Sequence, residues 1–231
     1  MKLYLALLLS LCIVLPVFAQ EPEVLDDEDL DIIAEETEAL SDEDFLLAHA
    51  EELKAEVEAT EAKKAELLAN IEEGEKNIAA LEAEMENLGW IKRQAQKTKI
   101  ALENRKVNSL NEELKATEVR LSIGYSVLAS LAMRVMSDDE MKAAKANLPA
   151  IYDLQKVVNK KVKDVVSVPA AYMATEKEIK AKEEELKGIE EKLTTKPKRM
   201  LLESKIKSYK KRLEYLSAKI AIDTAISYIL K

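Results

Sequence analysis

Between Leu46 and Leu88, residues that suit a buried seam recur in alternating steps of three and four. The series runs Leu46, Ala50, Leu53, Val57, Thr60, Lys64, Leu67, Ile71, Gly74, Ile78, Leu81, Met85 and Leu88, which makes six consecutive heptads. A helix places such residues on one slowly drifting stripe, whereas a strand would scatter them over both faces. Sustained over this many heptads, the pattern predicts a coiled coil with left-handed supercoiling. At the helical rise per residue the seam would extend about 65 Å. Thr60, Lys64 and Gly74 interrupt it, and polar or small layers of this kind can fix register.

Ser41-Asp42-Glu43-Asp44 precedes the seam and predicts its start. The Ser41 hydroxyl can accept from the third helical N–H, Asp44 can reach back, and acids in the first turn suit the helix dipole. Beyond Leu88 the phase slips. "GWIKRQAQKTKIALENRK" is polar and basic and still reads as helix, and a new phase resumes at Val107, Leu110, Leu114, Thr117 and Leu121. Leu121 to Met136 is apolar nearly all round, which calls for burial on every side. Ser137-Asp138-Asp139-Glu140 repeats the capping pattern, and Pro149 and Pro169 each predict a helix start or break. Ile179, Lys182, Leu186, Ile189 and Leu193 then form a second seam. After a turn at Thr194–Lys198, Leu202, Ile206, Tyr209, Leu213, Leu216 and Ile220 form a third. Two periodic helices joined by a short turn make an αα-hairpin.

The fold class is therefore all-α: a long coiled-coil helix plus an αα-hairpin, with a small helical head. The expected divisions are a signal peptide over 1–19, an acidic flexible arm over 20–40 and a coiled-coil helix over 41–120. An apolar head over 121–173 and a basic hairpin over 174–231, packing on stalk and head, complete the chain. Composition agrees: four Gly, five Pro, 4% aromatic and 34% charged residues exclude a turn-rich β-sandwich.

The signal peptide follows from "MKLYLALLLSLCIVLPVFAQ". Lys2 supplies a positive start, Leu3 to Leu15 an apolar core, and Val17 and Ala19 the small residues before a cut. The apolar run is shorter than the about 20 residues of a membrane span. Cleavage would place the protein in a periplasm, an extracellular space or a secretory lumen. It would also remove Cys12, the chain's one cysteine, leaving packing to hold the fold without disulfides.

Charge is segregated. Residues 20–88 hold 25 acids and 4 bases, net −21; residues 89–231 hold 19 acids and 30 bases, net +11. Such asymmetry predicts one part of the chain meeting another, or a second chain. The expected first arm of the hairpin is too short to cover Leu46–Leu88, and exposed Leu and Ile cost about 25 cal/mol per Å². Self-association through Leu46, Leu53, Val57, Leu67, Ile71, Ile78, Leu81, Met85 and Leu88 follows as an expectation, with a homo-oligomer or another coiled-coil protein as partner.

Catalytic chemistry has little to stand on. His49 is the sole histidine, and one imidazole makes neither a triad nor a two-histidine metal site. Carboxylates on solvated faces lack the pocket that would tune them for acid–base work. Asp27, Asp29, Asp31 and Glu38 match calcium-loop spacing, but Ile32 stands where the sharp turn needs Gly. No cofactor is expected. Lys205, Lys207, Lys210, Lys211 and Arg212 form a basic row that could meet an anionic envelope polymer or a membrane surface. Without a nucleic-acid-binding fold or interleaved aromatics, no nucleic-acid partner is expected.

The expected function is that of an exported, non-enzymatic structural or scaffolding protein that self-associates and presents basic helical faces. Two alternatives compete with it. One is a membrane-active, pore-former-like protein inserting 121–136 and its C-terminal helix; the other is a chaperone-like client binder.

Overall fold

The computed structural model describes residues 41–86, 88–163, 165–190 and 194–231. Among these residues the chain forms six α-helices and no strand: α1 (Asp42–Ala48), α2 (Ala50–Met85), α3 (Trp90–Ser130), α4 (Asp138–Lys161), α5 (Val168–Lys187) and α6 (Lys196–Ile229). The chain is all-α, as its periodicity predicts. The signal peptide, the acidic arm with Asp27, Asp29, Asp31 and Glu38, and the seam residue Leu193 lie outside the described residues. Two compact units divide the chain. The hairpin unit is Val57–Leu121; the core unit comprises the residues up to Glu56 together with Ser122–Lys231.

In place of one helix through 41–120, the chain is interrupted at His49 and again between Met85 and Trp90. His49 closes α1 with its N–H on the Leu46 carbonyl and opens α2 by accepting from the Leu53 N–H. Its Nδ1–H donates to the Phe45 carbonyl at 2.7 Å, so the imidazole replaces a helical partner at the joint. At the second interruption the Leu88 N–H turns back to the Met85 carbonyl, and the Gly89 carbonyl accepts the Arg93 N–H that starts α3.

Within the hairpin unit α3 runs antiparallel to α2. Cross-helix partners fall in number as their mates rise: Lys63 pairs with Glu113 at 2.6 Å, and Gln96 donates to the Leu81 carbonyl at 3.3 Å. Gly74 has a packing role between them, since a Cβ there would lie 2.6 Å from Cγ2 of Val107. The β-branched valine seats on the glycine, and that layer pins the register.

The core unit begins with the predicted cap. Ser41 accepts from the Asp44 N–H at 3.1 Å, although the Asp44 carboxylate bonds the Ser41 hydroxyl, not its backbone. Phe45 stacks edge-on against Tyr172 of α5, ring centroids 4.7 Å apart, and so seats α1. The second cap is a complete capping box: Ser137 Oγ accepts from the Glu140 N–H, and Glu140 accepts from the Ser137 N–H at 2.9 Å.

Leu121–Met136 is helical only to Ser130. There the Met133 N–H reaches the Leu128 carbonyl and the Ala132 N–H reaches the Ala129 carbonyl, the Schellman pattern of a helix stop. Position 132 has φ 55°, which favours glycine, yet it holds alanine. The sequence therefore gives no stop signal. Exchanging Ala132 for Gly is expected to raise stability by about 0.5–1 kcal/mol, read as a higher thermal midpoint. Arg134, just beyond, lies 4.3 Å over the Tyr125 ring and pairs with Glu140.

Pro149 does not break α4 but sits inside it. The carbonyl it deprives of a partner belongs to Lys145; both residues are exposed, so water can serve. Meanwhile Ile151, Leu154 and Val158 are buried, and packing overrides propensity. Pro169 starts α5 as expected, behind the Ser167 cap. That helix ends at Lys187 rather than continuing to Leu193, with Gly188 as its cap. α5 and α6 form the predicted antiparallel hairpin, tied by Glu183–Lys210 at 2.7 Å and Glu185–Lys198 at 3.1 Å. α4 also packs on α6, where Gln155 donates to Asp223 and Lys219 bridges Asp223 and Asn159.

Candidate interaction surfaces

The predicted seam has an intrachain partner, which removes the premise for self-association along its whole length. Leu46 and Leu53 are buried in the core unit, and Val57, Leu67 and Ile71 in the hairpin unit. Ile78, Leu81, Met85 and Leu88, nearer the turn, are only half-buried. A single helix through "GWIKRQAQKTKI" would leave the seam without a partner, whereas a new helix from Trp90 supplies one. Gly89 beside the phase slip was the available signal, since glycine serves helix ends.

Reversal at 86–89 also explains the segregated charge. Glu72, Glu73, Glu75, Glu82, Glu84 and Glu86 belong to the α2 end of the hairpin, and Lys92, Arg93, Lys97, Lys99, Arg105 and Lys106 to the α3 end. Antiparallel pairing sets an acidic half-helix beside a basic one. Gln96 donates to Glu84 at 2.9 Å between them, and Arg93 donates to the Glu86 carbonyl.

Immediately after the turn, Trp90 and Ile91 are 74% and 76% exposed. Trp90 and Ile91 thus set two large apolar side chains side by side in water, and contiguous exposed apolar surface is what marks interaction sites. Lys92 and Arg93 follow directly and are also exposed. Further along, a groove of about 420 Å³ opens between the two helices, lined by Asn77, Ala80, Leu81, Lys99, Leu102, Glu103 and Lys106.

The basic row of α6 is not a uniform free face. Lys207 is exposed, Lys205, Lys211 and Arg212 are half-buried, and Lys210 pairs with Glu183. Its neighbour Lys198 donates to Glu185, which lowers that carboxyl from its ordinary value. Positive charge predicted to face outward partners is thus partly spent on the acidic end of α5.

His49 belongs to an aromatic cluster, 4.5 Å from the Phe45 ring and 6.2 Å from Tyr172. Among the described residues, no group of three or more His, Cys, Asp or Glu side chains gathers where an ion could be held. No described helix is long and apolar enough to cross a membrane.

Glu214 on α6 is a carboxyl altered by packing. Burial pushes its carboxyl above the ordinary 4.5, against the opposing pull of Lys211. In the unfolded chain it ionises freely at 4.5, so the folded state holds its proton to higher pH. The linkage sign is that this group lowers stability as pH rises from 4.5 through its folded value, and the loss persists at neutral pH. Glu214→Gln should therefore raise the urea midpoint at pH 7, and its advantage should vanish below 4.5. Midpoints measured across that range check both ends.

No family model, curated protein or solved structure matches the chain.

Proposed function

We propose that this chain is an exported, non-enzymatic scaffolding protein that meets other macromolecules through the turn end of its α2–α3 hairpin. Exposure of Trp90 and Ile91 beside Lys92 and Arg93 carries this reading. Tryptophan and arginine are over-represented where protein contacts concentrate their energy, and a rigid helical hairpin presents them with little ordering cost. Export rests on the signal-like residues 1–19.

Core packing favours scaffolding over membrane insertion. Insertion would withdraw Ile123, Val127 and Leu128 of α3 and Leu216, Ile220 and Ile222 of α6, all of which are buried. Each would forfeit about 1.5–3 kcal/mol of burial before any gain from lipid.

Photo-crosslinking in the native compartment tests the proposal. A crosslinking residue at position 90 should capture a macromolecule, while the same residue at exposed Thr98 should capture far less. The double substitution Trp90→Ala and Ile91→Ala, made with the crosslinker at position 93, should abolish capture and leave helicity unchanged. Equal capture from positions 90 and 98 would overturn the reading.

A further inference from the structure

We infer that one flank of the α2–α3 hairpin, centred on Ala80 and Leu102, is a self-complementary contact that pairs two copies of this chain. Four observations lead there.

Burial along the seam fades toward the turn: Val57, Leu67 and Ile71 are buried, whereas Ile78, Leu81, Met85 and Leu88 are only half so. Two helices alone cannot enclose a seam, and among the described residues the hairpin unit has no third helix to do so. The groove of about 420 Å³ opens on one flank of this stretch, and Leu102 at its wall is 51% exposed.

Steps of seven residues from the groove's walls stay on that same flank. On α2 they lead from Ala80 to Glu73 and from Asn77 to Glu84; on α3 they lead from Lys99 to Lys92 and Lys106. Glu73, Glu84, Lys92, Lys99 and Lys106 are all exposed. Glu84 accepts from Gln96 and Lys106 pairs with Glu103 at 2.7 Å, and both retain capacity for a second contact. The flank is thus an apolar centre with an acidic row on one side and a basic row on the other.

Geometry selects the occupant. A two-fold contact buries the same patch on both partners, so the patch must complement itself. With the two-fold axis along the hairpin, α2 of one copy lies over α3 of its partner, acids meet lysines, and the two turns emerge at the same end. An axis across the hairpin would set acid on acid, and like-charge juxtaposition costs several kcal/mol. In the favoured arrangement Glu73 of one copy stands level with Lys106 of the other, and all neighbouring helices are antiparallel, as in a four-helix bundle. The like-charge conflict of a simple parallel pairing of acidic seams does not arise. Trp90 and Ile91 of both copies would then be offered side by side, which raises avidity without new contacts.

Analytical ultracentrifugation of the signal-free chain tests the inference, independently of what the turn captures. Over micromolar concentrations the chain should sediment as a dimer. Leu102→Glu should yield a monomer with unchanged helicity. Lys106→Glu should weaken the dimer about tenfold or more, and adding Glu73→Lys to it should recover most of that loss, because the reversed pair is complementary again. Monomeric sedimentation of the unaltered chain would overturn the inference, as would a dimer indifferent to Leu102→Glu or a double reversal weaker than the single one. Should Leu102→Glu lose helicity, the charge-reversal pair alone decides. A monomer whose position 90 still captures a macromolecule would defeat this contact and leave the scaffolding reading standing.

Discussion

Replacing Ile220 by Ala is expected to lower the stability of the core unit by about 3–4 kcal/mol. Ile220 is 0% exposed, and its α6 neighbours Leu213, Leu216 and Ile222 are likewise buried. α6 packs against both α4 and α5, and the cost of a void on it depends on how far that packing can collapse. The chain has a single cysteine, so no intrachain disulfide offsets the loss. Amide hydrogen exchange gives the direct readout: peptides of α4, α5 and α6 should exchange through global opening more than a hundredfold faster. Ile220→Val should cost only about 1 kcal/mol. A shift under 1 kcal/mol for the alanine would mean that α6 is not the centre of this core.

Phe45→Ala should be comparably damaging, at about 3–5 kcal/mol, though it lies in a seven-residue helix. The ring is 2% exposed and touches both His49 and Tyr172. Edge-on contact with Tyr172 adds about 0.5–1.5 kcal/mol beyond the area buried. Helices this short do not persist alone, so α1 depends on that anchor. Removing it should free the α1 amides to exchange near the rate of an open chain. Ser41→Ala, which removes only the cap, should cost about 1 kcal/mol and leave α1 protected. If the two variants prove equal, capping rather than the aromatic anchor holds the segment.

Local signals were the legible ones. Ser41 and Ser137 start helices because their hydroxyls satisfy an amide that the helix leaves open, and that chemistry is complete within four residues. Heptad seams marked which faces of α2, α5 and α6 are buried. Helix ends were read less well, each for a local reason. Ala132 adopts a left-handed conformation with no glycine to announce it. Pro149 looked like a break, but Ile151, Leu154 and Val158 bury enough surface to carry α4 through it. Gly188 and Gly89 both lie at helix ends, masked in sequence by the strong helix formers around them.

Candidate surfaces were harder to see, because exposure is a relation between segments. Trp90 and Ile91 resemble any core pair in sequence, yet at the start of α3 they stand open. Of the basic row on α6, Lys210 is claimed by Glu183, a partner distant in sequence.

By itself, then, the sequence determined that this chain is helical, where several helices begin, and which side of each avoids water. Those properties are written at spacings of three, four and seven residues, within reach of local sterics and hydrogen bonding. Tertiary structure alone decided what covers each apolar side. Hydrophobic attraction is non-directional, so the Leu46–Leu88 seam could accept a second chain as readily as a later part of its own. Reversal at 86–89 brought α3 close enough to claim the inner seam, and left the flank at Ala80 and Leu102 for something else.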